Sequence, residues 1–110
     1  ALIIGVAYKK DINDTRESPA LDIIQLLANG GADIDYYDPY VPKITFNKLS
    51  INSLYELKKE ILKAYDVCVI VTDHSNINYK LISDNCQLII DTRNIFGSFN
   101  SSNIIRLGQG

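Results

Sequence analysis

Three loops in this chain carry side chains able to handle charge, and each follows an apolar run. Tyr8-Lys9-Lys10-Asp11 and Asp14-Thr15-Arg16 come after Leu2 to Val6. Thr72-Asp73-His74 comes after Val67 to Val71, and Asp91-Thr92-Arg93-Asn94 after Leu88 to Ile90. Lys9, Arg16 and Arg93 suit a phosphate or carboxylate: a guanidinium offers a planar fork to two oxygens, an ammonium a point charge. The alternative for each is a solvated loop charge or a surface ion pair, and spacing alone leaves both open. His74 has the chemistry of a general base or metal ligand. Its place directly after a strand favours a turn-forming role instead. Asp11 and Asp14 are too few oxygens for a cation site, and no CxxC or Cys/His cluster offers zinc a cage.

Two further residues invite an assignment that their surroundings withhold. Asp38 ends an apolar run, where a dinucleotide fold places its ribose-binding acid. However, Gly5 is followed by Val6-Ala7-Tyr8 and not by a glycine-rich loop, so Asp38 is read as a turn former before Pro39. Cys68 lies inside the apolar run 67–71 and is read as a small core residue. Cys86 precedes another apolar run and is expected to be partly exposed. Neither is assigned as a nucleophile, and no catalytic residue is assigned in this chain.

Positioning these clusters requires alternating strands and helices. Leu2–Val6, Ile34–Tyr37, Val67–Val71, Leu88–Ile90 and Ile104–Leu107 read as strands, the last at an edge. Ser18-Pro19 opens a helix, with Ser as N-cap and Pro at the first helical position, and Gly30-Gly31 ends it. Ser53-Leu54-Tyr55-Glu56 has the form of a capping box, predicting a helix through Leu62. Ile77–Ile82 predicts a third. Pro42 marks an irregular loop, and Asn94–Asn103 an exposed one. The pattern predicts an α/β fold: an open, mainly parallel, doubly wound sheet of about five strands with helices on both faces, a Rossmann-like three-layer sandwich.

With 110 residues, 46% of them hydrophobic, the chain suffices for one domain with a real core. A net charge of −2 without a basic run gives no field for nucleic acid. No apolar run approaches the length of a membrane span, and a cytoplasmic setting is expected. The chain opens inside an apolar strand and contains no Met, which suggests a piece of a longer protein.

Gly5-Val6-Ala7-Tyr8-Lys9-Lys10-Asp11-Ile12-Asn13-Asp14-Thr15-Arg16-Glu17-Ser18-Pro19-Ala20 closely resembles the opening of the C-terminal domain in the UDP-glucose/GDP-mannose dehydrogenase family. Gly31-Ala32, Tyr37-Asp38-Pro39-Tyr40-Val41-Pro42, Val71-Thr72-Asp73-His74 and Ile90-Asp91-Thr92-Arg93-Asn94 resemble its later blocks, in order and across the whole chain. The resemblance implies that residues 1–110 are the nucleotide-sugar binding domain of a larger enzyme. Such enzymes oxidise the C6 alcohol of a nucleotide sugar to a carboxylate in two hydride transfers to NAD. It also implies an upstream NAD-binding domain bearing the catalytic cysteine, a central dimerising region and a homo-oligomeric enzyme. Tyr8, Lys9 and Arg93 correspond to substrate-binding positions, and Arg16 to one beside NAD. Some relatives carry Phe where Tyr8 stands, so its ring is carried over and its hydroxyl is not. The motif variants incline towards a UDP-N-acetylhexosamine, with UDP-glucose and GDP-mannose as alternatives.

Two other classes fit the strand pattern alone. A receiver module would need acids at the end of the first strand and a phosphorylatable Asp after the third. A flavodoxin would need a hydroxyl-rich loop where Lys9-Lys10-Asp11 stands.

Overall fold

The computed structural model describes residues 1–97 and 102–106. Five strands form a wholly parallel sheet: β1 (Leu2–Ile4), β2 (Asp35–Tyr37), β5 (Cys68–Ile70), β6 (Ile89–Asp91) and β7 (Ile104–Arg106), in the order β2-β1-β5-β6-β7. Each alternate side chain of a strand faces the opposite layer, so the two apolar cores follow directly from the sequence. Leu2, Ile4, Cys68, Ile70 and Ile89 pack with Leu62 of α2 (Lys59–Lys63) and Ile82 of α3 (Tyr79–Asn85). Ile3 and Val69 pack on the other face with Ala20 and Ile24 of α1 (Pro19–Asn29). Each fully buried Leu or Ile contributes about 1.5–3 kcal/mol relative to exposure.

Helix α1 begins and ends as its sequence predicts. Ser18 Oγ accepts the Ala20 N–H at 3.2 Å, Pro19 follows, and Gly30 closes the last turn before Gly31 at φ 89°. The capping box at Ser53 does not form. Helix α2 starts later, at Lys59, with no side-chain cap. Ser53 Oγ instead accepts the Asp38 N–H at 2.9 Å, since a tertiary partner competes successfully for the same hydroxyl. Helix α3 runs Tyr79–Asn85 rather than 77–82, because the Asn78 side chain caps it by accepting the Leu81 N–H. Residues 98–101 of the predicted exposed loop, and Leu107 of the predicted last strand, lie outside the described residues.

The segment expected to be an irregular loop contains a hairpin, β3 (Lys43–Phe46) with β4 (Leu49–Asn52). Its two-residue turn places Asn47 and Lys48 at φ 47° and 68°, as the twist of a tight hairpin demands. Ile44, Phe46, Leu49 and Ile51 join the α1-side core. The hairpin thus covers part of the α1 side of the sheet.

Gly5 follows β1, which stops at Ile4, two residues before the predicted strand end at Val6. Its φ is 84°, and a Cβ there would meet Thr72 Cβ and Thr72 O at 2.5 Å. The loops after β1 and β5 therefore approach as closely as backbone allows. Gly5→Ala is expected to destabilise the domain by about 3 kcal/mol or more, through strain and overlap together. Denaturant unfolding checks this, and a loss below about 1 kcal/mol would rule out the close approach.

Candidate functional site

In the order β2-β1-β5-β6-β7 the chain turns one way from β1 and the other way from β5. Ligands of such sheets occupy the crevice beyond the carboxyl ends at that switch point. The loops there are 5–18, 38–42, 71–78 and the segment after β6. One buried carboxylate gathers them. Asp38 Oδ2 accepts the Val6 N–H at 2.8 Å, the Ala7 N–H at 3.2 Å and His74 Nε2–H at 2.8 Å. Asp38 Oδ1 accepts the Tyr40 N–H at 2.8 Å. Asp38 does form the predicted turn, but it is also the hub of the rim. That second role could not be read from Asp38-Pro39 alone.

The N–H groups after β1 are the ones a dinucleotide-binding loop offers to a phosphate. Here the Asp38 carboxylate occupies them, so the Val6 and Ala7 N–H groups are not free for a pyrophosphate. His74 is fully buried. Its Nδ1 accepts the Asp11 N–H at 2.7 Å, which assigns the ring proton to Nε2 and the bond to Asp38. Both ring nitrogens are thereby engaged, leaving none for a metal or a proton transfer. The Asp11 carboxylate accepts the Ser75 N–H and hydroxyl at 2.8 and 2.7 Å, and these hold it below its ordinary pKa.

The four cation and ring positions singled out in the sequence all lie in loops at the carboxyl edge. Arg93 is exposed, and its Nε donates to Val71 O at 2.7 Å. Its backbone is set by Asp91, fully buried, whose carboxylate accepts the N–H groups of Arg93, Ile95 and Phe96. The terminal nitrogens of Arg93 have no acceptor among the described residues, so one side of the guanidinium is anchored and the fork is open. Lys9 is exposed without an ion pair among the described residues, and Tyr8 is 47% exposed. Arg16 differs: its Nε and Nη2 grip Asp14 at 3.1 and 2.8 Å, which draws the Asp14 carboxyl down to about 2.

None of these four residues lines the two described clefts. One, of about 300 Å³, lies between Tyr37, Pro39, Pro42 and Tyr55. The other, of about 390 Å³, lies between Tyr79, Ile95 and Phe96. Tyr8, Lys9, Arg16 and Arg93 therefore lie outside both of these clefts. Both cysteines are buried, Cys86 included, which corrects its expected exposure. The adjoining Cys86 thiol and burial push Cys68 well above its ordinary pKa, the reverse of what a nucleophile needs. No described helix is long and apolar enough to cross a membrane.

Residues 2–98 match the model of the UDP-glucose/GDP-mannose dehydrogenase family, UDP binding domain. The chain is 32% identical over 98 residues to UDP-N-acetyl-D-mannosamine dehydrogenase of Pyrococcus horikoshii, covering 84% of this chain and 21% of that protein. It is 33% identical over 100 residues to UDP-glucose 6-dehydrogenase TuaD of Bacillus subtilis, covering 86% and 22%. The solved structure of the Pyrococcus horikoshii enzyme superposes with a TM-score of 0.68 at 28% identity, over 96% of this chain and 24% of the other. The chain thus spans about a fifth of the length of these curated relatives.

Proposed function

This chain belongs to the UDP-glucose/GDP-mannose dehydrogenase family, and from that premise we propose that it is the nucleotide-sugar binding domain of an NAD-dependent 6-dehydrogenase. The full enzyme oxidises the C6 alcohol of a UDP-sugar to the uronic acid in two hydride transfers, reducing two NAD. The observation that carries this reading is the Arg93 fork, fixed by Val71 O and open towards the carboxyl edge beside the switch point. Lys9, in the loop after β1, adds a second cation at the same carboxyl edge, and Tyr8 an aromatic face. Together they suit a pyrophosphate and the nucleoside attached to it.

NAD, when bound, supplies the hydride acceptor. The loop after β1 offers it no cradle, because Asp38 fills the phosphate position. The dinucleotide is therefore assigned to polypeptide outside this chain, with Arg16 at its margin. The same outside segments would supply the catalytic cysteine, cover the carboxyl edge and form a homo-oligomer. Two free thiols fit the reducing cytoplasm. We take a UDP-N-acetylhexosamine as the substrate. Similar identities to enzymes named for two different sugars fit a domain that recognises the nucleotide end.

Titrating the purified chain with UDP should shift the backbone amide signals of residues 6–11 and 91–95. The chain should generate no NADH from UDP-N-acetylmannosamine or UDP-glucose with NAD, since the nicotinamide cannot be held beside the reacting carbon. NADH production by the chain alone, or UDP-induced shifts confined to other residues, would refute the assignment.

A further inference from the structure

The arch Tyr8-Lys9-Lys10 is tied down at both ends by one buried pair. At its near end the Val6 and Ala7 N–H groups donate to Asp38 Oδ2. At its far end the Asp11 N–H donates to His74 Nδ1 at 2.7 Å. His74 Nε2 closes the circuit on the same Asp38 oxygen at 2.8 Å. We propose that His74 is a positioning residue for nucleotide-sugar binding, holding the arch so that Tyr8 and Lys9 face the ligand; this rests on the function proposed above.

Three observations converge on it. The imidazole is fully buried, so it acts through the loop and not by touching a ligand. Asp11 sits at φ 62°, a left-handed conformation that Asp adopts as a single residue where local hydrogen bonds support it. His74 and Ser75 support it with three hydrogen bonds to Asp11, one to its N–H and two to its carboxylate. Finally, the side chains of Tyr8 and Lys9 make no hydrogen bond or ion pair among the described residues. Their direction is inherited from the backbone of the arch.

The two nitrogens can be tested separately in the full-length polypeptide carrying this domain. In His74→Gln the terminal amide falls where Nε2 lies, keeping a donor for Asp38 and removing the acceptor for Asp11. In His74→Asn the Oδ1 falls where Nδ1 lies and restores that acceptor. His74→Gln is expected to raise KM for UDP-N-acetylmannosamine by about fivefold to tenfold, the worth of one hydrogen bond, with kcat and KM for NAD changed much less. His74→Asn should recover most of that loss. A sugar KM in His74→Gln within about twofold of wild type, with Arg93→Ala impaired, overturns the positioning role and leaves the binding site standing. Equal impairment of both His74 variants in both KM values and kcat reduces His74 to general stability and also overturns it. Unchanged sugar kinetics in Lys9→Ala and Arg93→Ala remove the binding site itself, and the proposal with it. If His74→Gln does not fold, Ser75→Ala serves instead, since it removes only an exposed bond to Asp11. A rise of about twofold to threefold in sugar KM is expected there, and no change overturns the proposal.

Discussion

Replacing Arg93 by alanine in the full-length polypeptide is expected to raise KM for the UDP-sugar by about tenfold to a hundredfold, with little change in KM for NAD. The fork is exposed and only its Nε is engaged among the described residues, with Val71 O. Folding should therefore lose no more than about 1 kcal/mol, while binding loses a charge-assisted, two-pronged contact worth about 1.5–3 kcal/mol. Arg93→Lys should stay impaired, because an ammonium can neither bond Val71 O through Nε nor present two parallel N–H groups. Arg16→Ala is expected to act on KM for NAD instead, and it frees Asp14 from its only ion pair among the described residues. Steady-state kinetics with each substrate varied in turn separate these effects. Wild-type sugar kinetics in Arg93→Ala would exclude Arg93 from the site.

Asp38→Ala is expected to damage the fold severely. Asp38 is 2% exposed, and its carboxylate accepts four hydrogen bonds, from Val6, Ala7, Tyr40 and His74. Removing it leaves buried donors from three separate loops without acceptors, at about 1–3 kcal/mol for each that water cannot reach. A loss of about 3–5 kcal/mol is expected, which is a large share of the stability of a domain this size. Asp38→Asn should rank between alanine and wild type: its Oδ1 still serves Tyr40, but an NH2 group now faces the donors of Val6 and Ala7. Thermal unfolding should fall by roughly 15 °C in the alanine variant. A fall under about 5 °C would mean that Asp38 is not what ties the rim together.

The hub also marks where sequence reading reaches its limit. The β1, α1 and β5 assignments rest on local causes: an apolar run, a Ser-Pro start, a Gly-Gly stop. Those causes act over a few residues, so they survive into the structure nearly unchanged. The hairpin was legible in principle, since Ile44 and Phe46 answer Leu49 and Ile51 across Asn47-Lys48, but Pro42 pointed to an irregular loop. The Ser53 capping box failed for the opposite reason. Its local pattern was sound, and a partner 15 residues away, Asp38, took the hydroxyl.

The sequence by itself determined the alternation of elements, the two apolar cores, the absence of a glycine phosphate loop, and the family that residues 5–20 resemble. Each of these is carried by neighbours along the chain or by side-chain type. Only the tertiary structure decided what the polar residues at the rim are for. Asp38 and His74 look like loop residues one at a time, and the crossovers between parallel strands bring them within 2.8 Å across 36 positions. In the sequence, Lys9, Arg16 and Arg93 are all loop cations, and nothing local says which of them has a partner. In the fold, Asp14 claims Arg16, Val71 O orients Arg93, and Lys9 rides on an arch held by a buried ring. Which charge is free to meet a ligand depends on which acceptors the fold delivers to its neighbours, and no local pattern encodes that delivery.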